Sequence, residues 1–320
     1  MALVVGIDEA GLGPILGPLV VSSVVFRLPE DRTDSCLWDV LSSTCAKKSG
    51  RHEHRLVVAD SKELYKSRSG MTALERTALV MLGVRGQYPQ TFPALVNLLA
   101  PNVRDCLAEY PWYAKADFPL PISEGVGDVP FRAGAVRRDC DGQRVVFSDV
   151  YSEPLLEGHY NRIVRKTDNK GAVVLGIVLG IVGRIMSGAD DDAVCVQVDR
   201  LGGRVHYREP LMTSLPGWEM TVIEESSDRS AYRMTRGDQR CRIEFATKGD
   251  RKHFPVALAS VYSKYVRELF MHAFNEYWSK QVEGLAPTAG YYTDARRWLK
   301  EAADGIERLS IDRGMLVRER

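Results

Sequence analysis

An apolar run that ends in charge constrains this chain more than any other feature. Residues 3–7, Leu-Val-Val-Gly-Ile, have the β-branched composition of a buried strand. They run straight into Asp8 and Glu9, and then into the glycine- and proline-rich Ala10-Gly11-Leu12-Gly13-Pro14. Carboxylates at the margin of a core are costly unless something compensates their charge. Neighbours along a strand point to opposite faces, but at a strand end both can turn toward one centre. Residues 193–199, Ala-Val-Cys-Val-Gln-Val-Asp, repeat the design and end in Asp199. A further acid, Asp250, sits in Lys248-Gly249-Asp250 ahead of a long helical segment. Acids converging at strand ends repel one another unless Mg²⁺ or Mn²⁺ neutralises them. Such a cluster matches a two-metal site, where ions ~3.5–4 Å apart hold the attacking water and the leaving oxygen of a phosphodiester displacement. The competing reading is that these acids are caps and surface charges unrelated in space, and their spacing in sequence does not decide between the two.

The rest of the chain predicts a mixed α/β sheet flanked by helices. An apolar run at 18–26 reads as a strand antiparallel to the first, given the short link. A shorter run at 56–59 leads into Asp60-Ser61-Lys62. Residues 72–84 have helical composition, with Thr72 as N-cap and Glu75 three residues later. Prolines at 89, 93, 101, 111, 119, 121 and 130 predict an irregular insert or subdomain over 86–150. Residues 170–187 read as a helix apolar almost all round, packed on the sheet. Three strand-like pieces lie between 218 and 246, the last two flanking a turn at Arg236-Gly237-Asp238-Gln239. Helices are expected over 254–278 and 293–303.

Composition excludes several classes. Apolar residues make up 45% of the 320, ample for a core, and 43 basic against 42 acidic residues leave a net charge of +1. That balance argues against a binder working by bulk positive charge, while leaving a local basic groove open. The six cysteines, at 36, 45, 106, 140, 195 and 241, show no zinc-knuckle spacing and no disulfide framework, as expected of reduced cysteines in a cytoplasmic protein. Asp8 and Glu9 interrupt the only candidate leader, and the apolar stretch 171–183 is short of the ~20 residues of a membrane span, so a soluble protein without a membrane partner is expected. Gly11-x-Gly13-x-x-x-Gly17 is one residue too long for a dinucleotide fingerprint, and Pro14 and Pro18 interrupt the helix that should follow. His52-Glu53-His54 reads as plain surface, and Trp112 and Tyr113 as packing residues. Tyr232, Arg233, Arg236, Arg240 and Arg242 read as an exposed hairpin of mixed charge, with an arm against a nucleic acid backbone as the alternative.

Five blocks, in order, resemble the ribonuclease HII family (type 2 ribonucleases H). They are Gly6-Ile7-Asp8-Glu9-Ala10-Gly11-Leu12-Gly13-Pro14 with Gly17-Pro18-Leu19-Val20-Val21; Asp60-Ser61-Lys62-Glu63-Leu64; Val196-Gln197-Val198-Asp199; Lys248-Gly249-Asp250-Arg251-Lys252 with the run from Val256 to Glu268; and Gly290-Tyr291-Tyr292-Thr293. The resemblance implies a ribonuclease H-like fold made of residues 1–85 and 151–283, interrupted by the insert at 86–150 and a hairpin insert at about 204–244. Neither insert matches the family, and 284–320 would be a helical substrate-binding segment. It also implies a catalytic, metal-holding set of Asp8, Glu9, Asp199 and Asp250. Gly11, Leu12, Gly13, Ser61, Lys62, Lys252, Ser260, Lys264 and Tyr291 would bind substrate. The implied activity is an Mg²⁺- or Mn²⁺-dependent endonuclease, with two metals bound. It would cut the RNA strand of RNA–DNA hybrids, or 5′ of a ribonucleotide embedded in duplex DNA, leaving 3′-hydroxyl and 5′-phosphate ends; a monomer is expected. The chain departs from the family in having Leu12 where the glycine loop carries Arg, Tyr292 for a glycine, Arg296 for a histidine and Glu268 for an aspartate. Glu268 is read as helix structure. Leu12 and the unmatched inserts motivate a second reading, the same chemistry on structured RNA or branched DNA. A third is a nucleic-acid-binding relative with an idle site.

Overall fold

Strand β1 (Ala2–Ala10) forms where the β-branched run predicts it, and runs through the middle of the molecule. The computed structural model describes the chain apart from residues 49, 51, 52, 66–69, 190–192 and 320, so His52 lies outside the described residues. After β1 come β2 (Leu19–Leu28), the two-residue strands β3 (Cys45–Ala46) and β4 (Leu56–Val57), β5 (Val146–Leu155) and β6 (Ala193–Asp199). The last three are β7 (Glu219–Glu225), β8 (Arg229–Arg236) and β9 (Gln239–Ala246). β3 and β4 pair with each other, and the other seven form one sheet in the order β5-β2-β1-β6-β9-β8-β7. β2 is antiparallel to both β1 and β5, while β6 is parallel to β1 and to β9. The antiparallel β1–β2 pair and the strand ending in Asp199 are as expected.

The alternation of β1 divides the core in two. Leu3, Val5 and Ile7 face the helix Lys170–Ser187, while Val4 faces the long helix Phe254–Gln281. Gly6 lies on the long-helix side, where a Cβ would stand 2.0 Å from the carbonyl carbon of Pro255. The glycine therefore lets the long helix press its first turn directly onto the central strand.

Four expectations are corrected. Residues 86–150 are largely helical, with helices Phe92–Leu99, Pro111–Ala114 and Val129–Gly142 and a 3₁₀ helix Pro101–Glu109, and from Val146 they join the sheet as β5. Pro93, Pro101, Pro111 and Pro130 sit in first turns, where a missing N–H costs nothing, so they start helices rather than break them. Residues 239–246, expected mostly within a hairpin insert, form β9, an inner strand beside β6. The helix expected from Thr72 begins at Gly70, and Glu75 makes no capping box. The Glu75 carboxylate is buried and accepts hydrogen bonds from the Ile122 and Ser123 amides (2.9 and 2.8 Å) and the Tyr265 hydroxyl (2.9 Å). Lastly, the helix Lys170–Ser187 is only half covered: its exposed side carries Gly171, Gly176 and Gly180, which is why it reads as apolar all round. Among the described residues this one helix has the length and apolarity to cross a membrane; here Val174, Val178, Leu179 and Val182 pack in the core beneath the sheet.

Trp112 and Tyr113 are buried against Phe270, Phe274 and Trp278 of the long helix, as their packing role predicts. The Gly6–Pro255 contact makes a testable demand. Gly6→Ala is expected to cost about 3 kcal/mol or more, the upper end for overpacking a core; an unchanged urea midpoint would show that the helix does not rest on β1.

Candidate active site

Register brings the first acids together. Ile7 pairs with Val198 across the parallel β1–β6 ladder, so Asp8 and Asp199 emerge side by side at the same end of adjacent strands. Asp8 is held from the long helix: its carbonyl oxygen accepts from the Ser263 hydroxyl (2.8 Å), and the Ser260 hydroxyl lies against its carboxylate. Its Oδ1 also accepts from the Glu9 amide at 2.8 Å. Asp199 Oδ1 accepts from the Gly249 amide at 2.7 Å. That bond depends on Lys248, whose left-handed backbone (φ 56°) swings the chain after β9 back over β6, and on Gly249, where a Cβ would meet the Asp199 Cα at 3.3 Å. The short helix Gly249–Lys252 then carries Asp250 to the cluster.

The four predicted acids are linked through Asp199, whose charge Asp8, Glu9 and Asp250 all feel, and each is shifted from its ordinary range. Burial, then the charges of Glu9 and Asp199, pushes the Asp8 carboxyl well above the usual carboxylate range. Burial and Asp199 raise Glu9 to about 7. Asp199 is raised by burial, partly offset by the Gly249 and Arg200 amides and by Lys62. Asp250 rises to about 6 through burial, then through Asp60 and Asp199.

Asp60 is a fifth acid that the sequence reasoning left out of the site. It is buried, accepts from the Lys62 amide at 2.8 Å, and hydrogen-bonds the protonated form of Asp250. Its place at the head of the quoted Asp60-Ser61-Lys62 block was the available signal. Arg251 approaches Asp60 at 3.8 Å and Glu63 at 3.2 Å from the solvent side.

The residues expected to bind substrate divide into groups. Ser61 and Ser260 are buried and hydrogen-bonded to each other at 3.0 Å, beneath the acids. Lys62 is exposed, and its charge favours ionised Glu9 and Asp199. Lys252 is exposed at a cleft that includes Asp34, Arg242 and Glu244. Lys264 binds Glu268 at 2.5 Å and lies over the Tyr65 ring, and the Tyr65 hydroxyl donates to Glu268 at 3.0 Å; Glu268 is indeed a structural anchor. In the glycine loop, Gly13 is exposed with open space where a Cβ would be, and Leu12 is turned against the core on the Lys170–Ser187 side. Tyr291 is half exposed.

Two buried arginines, which sequence reasoning missed, hold this loop from behind. Arg318 donates to the carbonyls of Gly11 (2.5 Å) and Pro14, and Arg267 to those of Leu16 (3.2 Å) and Ala289 (3.1 Å). Glu157, pushed by burial to about 7, accepts from the Gly17 amide (3.1 Å) and the Tyr113 hydroxyl (3.0 Å). Gly290 O accepts from Ile15 N at 2.8 Å, so the Tyr291 loop is fastened to the glycine loop.

The cluster suits a divalent cation. Every donor is a hard carboxylate oxygen, and Glu9 Oε2 is buried without a hydrogen-bond partner. Like charges raise all four acids, Asp8, Glu9, Asp199 and Asp250, and a dication would remove that repulsion.

The sheet, with the order β5-β2-β1-β6-β9 at one side, only β2 antiparallel among these five and acids at the ends of β1 and β6, is of the mixed α/β class. No family model matches the chain. Over 46 residues it is 48% identical to ribonuclease HII of Gluconobacter oxydans (strain 621H), a match spanning 14% of this chain and 22% of that protein. Its structure is similar to ribonuclease HII in the PCNA:RNase HII complex from Archaeoglobus fulgidus (15% identity, 99% of this chain and 94% of that one, TM-score 0.41). It is also similar to Bst-RNase HIII in complex with Mn²⁺ (15% identity, 99% and 66%, TM-score 0.46). The proteins it is similar to are thus ribonucleases HII and HIII.

The raised carboxyls set a pH dependence for the metal-free protein. A carboxyl raised on folding binds its proton more tightly in the folded state, so its contribution to stability is full below its unfolded value and lost as pH rises through its folded one. For Glu9 that window runs from 4.5 to about 7. Melting temperature is expected to fall across this range without divalent metal, and Asp8→Asn to raise it by roughly 2–4 °C at neutral pH. A flat profile, or an Asp8→Asn variant less stable than the parent, would contradict the mutual repulsion.

Proposed function

We propose that the chain is a divalent-metal-dependent endonuclease of ribonuclease H type. It hydrolyses the RNA strand of RNA–DNA hybrids, or cuts 5′ of a ribonucleotide embedded in duplex DNA, leaving 3′-hydroxyl and 5′-phosphate ends. The observation that supports this reading is that Asp8, Glu9, Asp199 and Asp250 are coupled through the charge of Asp199 and that their carboxyls are raised. A pair of Mg²⁺ or Mn²⁺ ions held by these acids would activate water and stabilise the leaving oxygen.

The remaining residues position the substrate. The exposed Gly13 backbone lets a sugar 2′-hydroxyl approach closely, the feature that separates RNA from DNA. Tyr291 offers a half-exposed ring to the neighbouring sugar, and Lys62 a cation to the phosphate. Arg267 and Arg318 keep the glycine loop in register with the acids.

One observation favours the second reading, the same chemistry on structured RNA or branched DNA. Leu12 packs inward, so the loop offers no side-chain cation at that position and the junction is gripped through backbone alone.

Two labelled duplexes in Mg²⁺ and in Mn²⁺ separate these readings: DNA with a single embedded ribonucleotide, and a continuous RNA–DNA hybrid. Cutting is expected with the parent chain and is expected to fall at least about 10³-fold in Asp8→Asn. Cutting that survives in Asp8→Asn would sink the acid assignment. No cutting of either duplex, alongside cutting of structured RNA or branched DNA, would establish the second reading.

A further inference from the structure

Away from the acid cluster, a second group of side chains gathers with the chemistry of metal ligands. Cys106 and Glu109 lie on the 3₁₀ helix Pro101–Glu109, and His159 lies on the helix Glu157–Thr167. Residues three apart eclipse on a 3₁₀ helix, so Cys106 and Glu109 project from one edge. The Cys106 sulfur, a Glu109 carboxylate oxygen and a His159 ring nitrogen all lie within 4.8 Å of one another. Cys106 and His159 are partly buried, and Glu109 is exposed. Among the described residues, no hydrogen bond or salt bridge holds any of these three side chains elsewhere.

The chain just after Glu109 is already fastened to the chain just before His159. The Gly158 amide, next to His159, donates to the Tyr110 hydroxyl at 3.1 Å, next to Glu109. The Tyr113 hydroxyl donates to Glu157 at 3.0 Å. These two bonds hold the segment carrying Cys106 and Glu109 beside the helix carrying His159.

We propose that Cys106, Glu109 and His159 form a zinc site, with water in the fourth position. The donor set makes the choice of ion. Thiolate and imidazole with one carboxylate suit Zn²⁺, whereas Mg²⁺ and Mn²⁺ prefer all-oxygen sets like the acid cluster. Zn–ligand bonds of about 2.0–2.3 Å put tetrahedral ligand atoms about 3.3–3.8 Å apart. The exposed Glu109 closes that gap by a change of rotamer, and the Cys106 thiol releases its proton to solvent as the Zn–S bond forms. The ion clips the helical segment after β4 to the helix that follows β5. It does so beside Glu157, which holds the glycine loop. The proposal shares no residue with the acid cluster and does not rest on the nuclease reading.

The test uses the full chain stripped of metal and titrated with Co²⁺, a spectroscopic substitute for Zn²⁺. Cobalt bound to thiolate gives a sulfur-to-metal absorption band in the near ultraviolet that an all-carboxylate site cannot give. The expected result is that band in the parent and in Asp8→Asn, displaced by Zn²⁺, and absent in Cys106→Ser. Zn²⁺ is expected to raise the melting temperature of the parent but not of Cys106→Ser, and to bind His159→Ala at least about tenfold more weakly. Circular dichroism shows that the variants fold. No band in the parent, or a band that persists in Cys106→Ser, overturns the proposal.

Discussion

Mutual repulsion among carboxylates in a half-dry pocket is the interaction around which the rest of this molecule is arranged. The adjacent Asp8 and Glu9, with Asp60, Asp199 and Asp250, come from four places along the chain, and burial disfavours the charge of Asp8, Glu9, Asp199 and Asp250. Such a cluster persists only where the surrounding structure over-determines it. The over-determination is visible: a parallel ladder fixes Asp8 beside Asp199, two serines of the long helix grip Asp8, and the Gly249 amide grips Asp199. The long helix can do so because Gly6 lets its first turn touch the strand backbone.

The glycine loop is supported by a separate network with a different logic. Its carbonyls are held by guanidinium groups from the long helix and from the last residues of the chain, and an amide by Glu157. Burial, then the like charge of Arg267, depresses Arg318 to about 10. A tail arginine in that position makes residues 313–319 part of the loop's scaffold, through Asn161 bonding to the Gly314 and Val317 carbonyls. Acids and loop are thus set independently, one by the sheet and one by buried cations, and they meet at the end of β1.

Proline and glycine punctuation misled wherever position within an element mattered. Prolines at 93, 101, 111 and 130 read as breakers because composition does not say whether a proline falls in a first turn or an interior. Glu75 read as a cap because local spacing allows it, yet the amides of Ile122 and Ser123, some fifty residues away, claim the carboxylate. Glycines at 171, 176 and 180 made a one-sided helix look apolar all round.

By itself the sequence determined the strand that ends in Asp8 and Glu9, its antiparallel partner, the strand ending in Asp199, the two long helices and the four acids, because these depend on local pattern and on blocks resembling a known family. Only the tertiary structure decided that Asp60 joins the acids, that Lys264 is paired with Glu268, that Leu12 turns inward, and that Arg318 reaches the glycine loop across some three hundred residues. It alone brings Cys106 and Glu109 to His159, fifty residues away in sequence. The reason is physical. Strand register and helix docking bring side chains together across distances that no local period encodes, and which charge is paired, buried or left facing solvent follows from that meeting.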